Sequence, residues 1–422
     1  MDGLSSVPIN NQYHLPLRAI VNPDFAQSYA VAMVDFGALD LQLNERQAIP
    51  AGSAHFLEHK LFAKPGYDSS QKYAQLGATS NAFTSYSKTA YLFKTVDHVA
   101  ESLQVLLDLI SQPYFTPENV AREREIITQE IQMYADMPDW ILEQTTLNNL
   151  FPQDPINYDI AGTEESIKSI TPEGLMQIYH QYYSTANLQI VLAGNVNPSQ
   201  IEGQLDHYLE GNSDWQKFCQ PRPQLRLQTY PHLALPVTQA EITGASQRPH
   251  MMLGIRLDTE QEQLQTMIPR QNQLELLLEL ILGDNSCFHQ KLVDAGLIDD
   301  SFNYSVNIER CYAYVLISAE TDEAQKLAFQ ISDYLFSGQY ETDIQAADLE
   351  LLKKDSIGTY LFIQDYMESL AVETAELAFY QWQLPEVLDL INRIPLADLL
   401  QLGRKIFQAK NSTVTYLNPR ID

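Results

Sequence analysis

Cysteine is scarce in this chain: Cys219, Cys287 and Cys311 are the only three among 422 residues, and they show no metal-ligand spacing. An odd, unpatterned set argues against a disulfide framework and a cysteine-based metal site, and fits a reducing compartment. Positive charge is also short, with 26 Lys and Arg against 54 Asp and Glu and a formal net charge of −28. A nucleic-acid surface needs clustered Lys and Arg to neutralise phosphates, so nucleic acid is not an expected partner. No run is long and apolar enough to span a bilayer, and MDGLSSVPINNQYHLPLR lacks a basic stretch followed by an apolar core. Neither a membrane association nor a signal peptide is expected, which leaves the cytoplasm as the default location. The acidic excess has two readings: a surface tuned for solubility, or a negatively lined chamber that concentrates basic peptides.

Histidine is sparse too, at nine residues, yet two of the nine sit in His55-Phe56-Leu57-Glu58-His59. Residues i and i+4 share one face of a helix, so His55 and His59 can converge on one ion. Glu58 lies one step round, where its carboxylate can take a proton from water activated by that ion. The order His-x-x-Glu-His is the inverted form of the thermolysin-type motif. Ser53 is the expected N-cap and Gly52 the break before it. Phe56, Leu57, Leu61 and Phe62 make the helix apolar and buried, where an imidazole pair without a metal would be short of partners.

Three protein ligands are needed for a catalytic zinc site. The best source of the third is the helical stretch Pro117 to Tyr134, PENVAREREIITQEIQMY, in which Glu123 and Glu130 are seven apart and therefore share a face. Ile126, Ile127 and Ile131 supply apolar packing, while Glu118 and Glu125 fit a solvated face. Phe83, Ser85, Ser87 and the run Thr89 to Phe93 read as extended structure, and an edge strand near a peptidase site can pair with an extended peptide.

HFLEHKLF followed by an EREIITQE helix resembles the pitrilysin/insulinase family of zinc metallopeptidases, in its half-length, two-domain bacterial branch. QEIQMYADMPDW and DIAGTEESI extend the likeness over nearly the whole chain, toward the YmfH-type members. In the family a Glu-x6-Glu pair follows the zinc motif by some seventy residues, and here 130 − 59 = 71. The resemblance implies His55, His59 and Glu130 as ligands of one Zn2+ per chain, Glu58 as general base and Glu123 as the carboxylate that supports the site. It implies that Asn81, in GATSNAFTSYSKTAYLF, meets the substrate backbone. The same ligand types also suit Mn or Co.

The two halves show one order of elements. Strand QSYAVAMVDFG corresponds to RPHMMLGIRL, and the zinc-motif helix to LELLLELIL, which has no His. The strand-to-helix segments Thr89 to Ile110 and Cys311 to Leu335 also correspond, as do the closing pairs LMQIYHQYY/NLQIVLAGNV and LADLLQLGRKIF/NSTVTYLNP. The expected fold is α+β: two tandem homologous domains, each a mainly antiparallel sheet with helices packed on one face. The expected boundaries are a zinc-binding domain at 1–210, a Pro-rich linker at 211–247 and a zinc-free domain at 248–422.

The leading functional expectation is a zinc endopeptidase for short or unfolded peptides. Full-length relatives enclose substrate between two such halves, so a homodimer or a heterodimer with a zinc-free paralogue is implied. The family also uses an Arg and a Tyr from the zinc-free half. In CFHQKLVDAGLIDDSF those positions are Leu292 and Asp299, with Tyr304, Tyr312 and Tyr314 as nearby candidates for a substitute phenol. A partner carrying the pair would complete the site. A metal-binding scaffold or maturation subunit with weak or no peptidase activity is the alternative, and hydrolysis of a non-peptide amide is a third class.

Overall fold

The computed structural model describes residues 6–44, 47–219, 234–258, 264–310, 312–362 and 366–420. They form two compact units. The first comprises residues 1–131, 158–227 and 361–386, and the second residues 132–157, 228–360 and 387–422.

The first unit is built on a six-stranded sheet of β1 (Val7–Pro8), β2 (Leu17–Val21), β3 (Ser28–Val34), β4 (Thr79–Thr84), β5 (Thr89–Thr95) and β6 (Leu188–Gly194), in the spatial order β1-β2-β6-β3-β5-β4. All neighbours are antiparallel except β2 and β6. The second unit carries β7 (Gln239–Gly244), β8 (His250–Arg256), β9 (Asn303–Glu309), β10 (Tyr312–Glu320) and β11 (Ser412–Pro419), ordered β7-β11-β8-β10-β9. Here β7 and β11 are the parallel pair. From β2 onward the two sheets have the same topology, which is the duplication expected from the order of elements.

On one face of the first sheet lie α1 (Ser53–Phe62) and α2 (Val99–Ser111). Their Phe56, Leu57, Leu61, Leu106 and Ile110 join Ala30, Ala32 and Val34 of β3 and Tyr91 and Phe93 of β5 in one core. Successive strand residues face opposite ways, yet the alternate set Tyr29, Val31 and Met33 is buried as well. The cover on that second face is α5 (Met367–Phe379), which packs on β3 and β6. In the second unit α4 (Pro138–Leu150) packs on β7, β8 and β11 in the same way. Thr146 of α4 meets Thr415 of β11, hydroxyl to hydroxyl, at 2.9 Å.

The division at 1–210 and 248–422 therefore needs correction. Residues 132–157 belong with the second unit and 361–386 with the first. The physical reason is that a sheet apolar on both faces needs cover on both, and each half of the chain supplies the second cover for the other. The expected linker is also partly structured: Ser213–Phe218 is a helix whose Trp215 and Phe218 enter the first core, and β7 lies in the second sheet. Residues 220–233 and Cys311 lie outside the described residues. Among the described residues no helix is long and apolar enough to cross a membrane.

Candidate metal centre

Helix α1 begins at Gly52, whose φ of 84° is a left-handed value that suits glycine. A side chain there would also collide with Ala161, whose carbonyl oxygen would lie 2.3 Å from an added Cβ. Gly52, rather than Ser53, is the N-cap; Ser53 is the first helical residue, and its hydroxyl donates to Pro50 O at 2.7 Å. From this start the helix places the His55 and His59 rings 4.5 Å apart, centroid to centroid.

Helix α3 (Pro117–Tyr134) carries Glu123 and Glu130 past the same place. Ile127 turns into the core and Ile131 packs against it, whereas Ile126 is exposed, a departure from its expected packing role. His55 Nε2 lies 3.8 Å from Glu130 Oε1, and His59 Nε2 lies 3.9 Å from Glu130 Oε2. Ligand atoms of the three residues fall within 4.8 Å of one another. Glu123 Oε1 is 3.0 Å from His59 Nδ1, and its Oε2 accepts from Lys60 Nζ at 3.0 Å. Glu58 is buried, and its Oε2 accepts from Thr84 Oγ1 at 2.5 Å.

The donor set fits a divalent ion. Both imidazole-to-Glu130 separations are too long for hydrogen bonds, whereas two donors on a tetrahedral zinc stand about 3.4 Å apart, so a small contraction would serve. His55 Nδ1 is buried without a partner, and burial, with the charge of His59, pushes this imidazole down to about 4. A neutral imidazole is the form that ligates a metal. Burial lowers His59 in the same way, but the bond to Glu123 and the charges of Glu58, Glu123 and Glu130 outweigh it and raise its pKa. Burial raises Glu58 above the ordinary carboxyl range, opposed by the Thr84 bond. For Glu123 burial also acts upward, yet its bonds to His59 and Lys60 bring it below that range.

The structure thus brings His55, Glu58, His59, Glu123 and Glu130 together. Asn81 is exposed on β4, an edge strand of the sheet, and its Oδ1 accepts from Ala82 N at 2.9 Å. By strand alternation it faces away from Thr84. Thr84 and Lys60 are the two contacts that sequence reading missed. A lysine inside an apolar helix is a signal in itself, because a buried ammonium needs a partner. Nothing local marks Thr84.

The candidates for a substitute phenol are otherwise engaged. Tyr312 and Tyr314 are buried, with ring centroids 5.3 and 5.8 Å from that of Phe151, and the Tyr304 hydroxyl donates to Glu279. Leu292 is buried, and Asp299 pairs with Arg248 at 2.8 Å.

Comparison with known proteins adds a relation to this geometry. Residues 22–164 match the family described as insulinase (peptidase family M16), and residues 169–355 match the peptidase M16 inactive domain. A Bacillus subtilis (strain 168) protein named as the zinc protease YmfH, itself uncharacterized, is 32% identical over 94% of this chain and 92% of its own length. The chain belongs to the insulinase family, peptidase family M16. A solved Alicyclobacillus acidocaldarius protein described as an M16-like peptidase superposes with a TM-score of 0.91 at 26% identity, over 99% of this chain and 98% of that one. The periplasmic protease PqqL of Escherichia coli shares the fold at a TM-score of 0.73 and 17% identity. This M16 chain aligns over 99% of its own length with 48% of PqqL.

Proposed function

We propose that this protein is a zinc-dependent endopeptidase acting on short or unfolded peptides. The observation that carries the reading is the convergence of His55, His59 and Glu130 beside the buried carboxylate of Glu58. His55, His59 and Glu130 would hold the metal. Zinc in that position would act as a Lewis acid on the scissile carbonyl and make water more acidic.

Glu58 takes the proton from the attacking water and delivers it to the leaving amine as the peptide C–N bond breaks. Burial favours this exchange by raising the carboxyl's hold on a proton. The Thr84 hydroxyl fixes the orientation of Glu58. Glu123 turns the Nδ1 side of His59 away from the metal, leaving Nε2 on the Glu130 side. The free edge of β4, including Asn81, offers an extended peptide a strand to pair with.

The reading includes a second subunit: a zinc-free paralogue that supplies an Arg and a Tyr, with a homodimer as the other arrangement. Leu292 and Asp299 at the corresponding positions support the paralogue. The loss of one donor to a developing oxyanion costs roughly 100- to 1000-fold in rate. The same two residues favour the second reading, a metal-binding subunit with weak or no peptidase activity.

The test is mass-spectrometric detection of cleavage in a mixed peptide library, using the zinc-loaded chain beside its Glu58→Gln variant. With an Arg/Tyr-bearing paralogue added, cleavage by the wild type and not by the variant, at equal zinc content, is the expected result; cleavage at an ordinary enzyme rate by the chain without the paralogue would favour the homodimer. Zinc uptake without cleavage, persisting when an Arg/Tyr-bearing paralogue is added, would leave the binding-subunit reading in its place.

A further inference from the structure

Lys60 is 4% exposed, on the turn of α1 that carries His59. Its Nζ donates to Glu123 Oε2 at 3.0 Å, while the other oxygen of the same carboxylate sits 3.0 Å from His59 Nδ1. We propose that Lys60 is a positioning residue of the metal site, locking the Glu123 carboxylate from behind so that His59 presents Nε2 at a fixed angle.

The argument rests on how differently the two imidazoles are held. His55 has a side chain 12% exposed, and its buried Nδ1 has no hydrogen-bond partner, so packing alone sets its ring. His59 is 26% exposed and has less packing to restrain it. Its orientation depends on the bond at Nδ1. A carboxylate held at one oxygen can still rotate about its last torsion, which is broad. Held at both oxygens, it becomes a rigid acceptor. The chain Lys60–Glu123–His59 therefore performs for the more exposed ligand what packing performs for the buried one. Groups that orient a metal-binding histidine typically change metal affinity by about 10- to 100-fold when removed.

A purely structural role makes a different prediction. A buried ammonium needs a counter-charge whatever lies beyond it, and loss of such an ion pair affects stability without acting through His59. Charge alone makes a prediction of opposite sign, because removing a cation beside the site favours binding of a dication. Only positioning predicts weaker zinc binding after Lys60 is neutralised.

This inference depends on the metal reading, and the test separates the two. Zinc affinity of the full chain is measured by competition with a chelator for the wild type, Lys60→Met, Glu123→Ala and the double variant, with melting of the metal-free proteins as the control for folding. Lys60→Met is expected to weaken zinc binding about 10- to 100-fold and to shift the visible absorption of the Co2+-loaded protein. With Glu123→Ala present, the same substitution should alter affinity by less than about twofold, since its effect passes through Glu123. Unchanged or tighter binding in Lys60→Met, or an equal loss in both backgrounds, overturns the proposal. If the Met variant does not fold, Lys60→Gln, whose shorter side chain withdraws the donor from Glu123, takes its place with the same two outcomes. A wild-type chain that takes up no zinc overturns the metal reading itself, whatever Lys60 does.

Discussion

The Thr84 hydroxyl meets Glu58 Oε2 at 2.5 Å, joining an edge strand of the first sheet to the helix that carries the His-x-x-Glu-His motif. The bond holds one oxygen of a buried carboxylate and leaves the other for the proton transfer proposed above. Twenty-six residues separate the two partners, and the bond is made only when β4 has paired with β5 in its native register.

Removing that hydroxyl should lower catalysis without unfolding the protein. A bond to a charged acceptor contributes about 1.5 to 3 kcal/mol, so Thr84→Val is expected to lower kcat roughly 10- to 100-fold, with KM little changed. Thr84→Ser keeps the donor and should retain most of the rate. Steady-state kinetics on a peptide found in the library screen decides it; equal rates for the Val variant and the wild type would show that Glu58 needs no such support.

A second prediction concerns pH and lies away from the candidate metal centre. Lys64 is buried, and its Nζ donates to Leu109 O at 3.0 Å and Gln112 O at 2.6 Å, closing the C-terminal end of α2. Burial pushes its pKa down from 10.5 to about 7. Between those two values the unfolded chain holds a proton that the folded chain has released, so the contribution of Lys64 to stability rises with pH across the window. Below about 7 both states are charged and the contribution is level. Lys64→Met abolishes this slope: the stability of the wild type relative to the variant, from urea unfolding, should climb through that range. A constant difference would mean that the two carbonyls keep Lys64 charged when folded.

The third prediction tests the helix that the first half of the chain contributes to the second unit. A Cβ on Gly254 of β8 would stand 2.7 Å from Leu150 Cδ1 and 2.8 Å from Thr146 Cγ2, both on α4. Gly254→Ala should therefore push α4 from the sheet and destabilise the fold by about 1 to 3 kcal/mol. Leu150→Ala in the same chain should recover part of that loss, a non-additivity visible in the denaturation midpoints.

Much of the candidate metal centre was legible in the sequence because its first part is local. Four residues of helix set His55 against His59, and Phe56, Leu57 and Leu61 ensured that the helix would be buried. Glu123 and Glu130 were legible as one face of another helix for the same reason. That α3 crosses α1 at this point is not a local property; resemblance to the family pointed to it, and the geometry agrees. Lys60 was an unread signal, a charge in an apolar helix whose partner is 63 residues away.

The sequence by itself determined the repeated order of strands and helices, the two imidazoles and the carboxylate between them. These follow from periodicities of two and 3.6 residues, which act over a few bonds. Tertiary structure alone decided which half of the chain covers each sheet, that Thr84 would reach Glu58 and that Lys60 would hold Glu123. Such contacts depend on strand register and helix docking, where burial of apolar surface selects one arrangement from many that the local pattern permits. The strand SYAVAMV shows the limit: it was legible as a strand, and only the fold shows that both of its faces are covered, the second by α5.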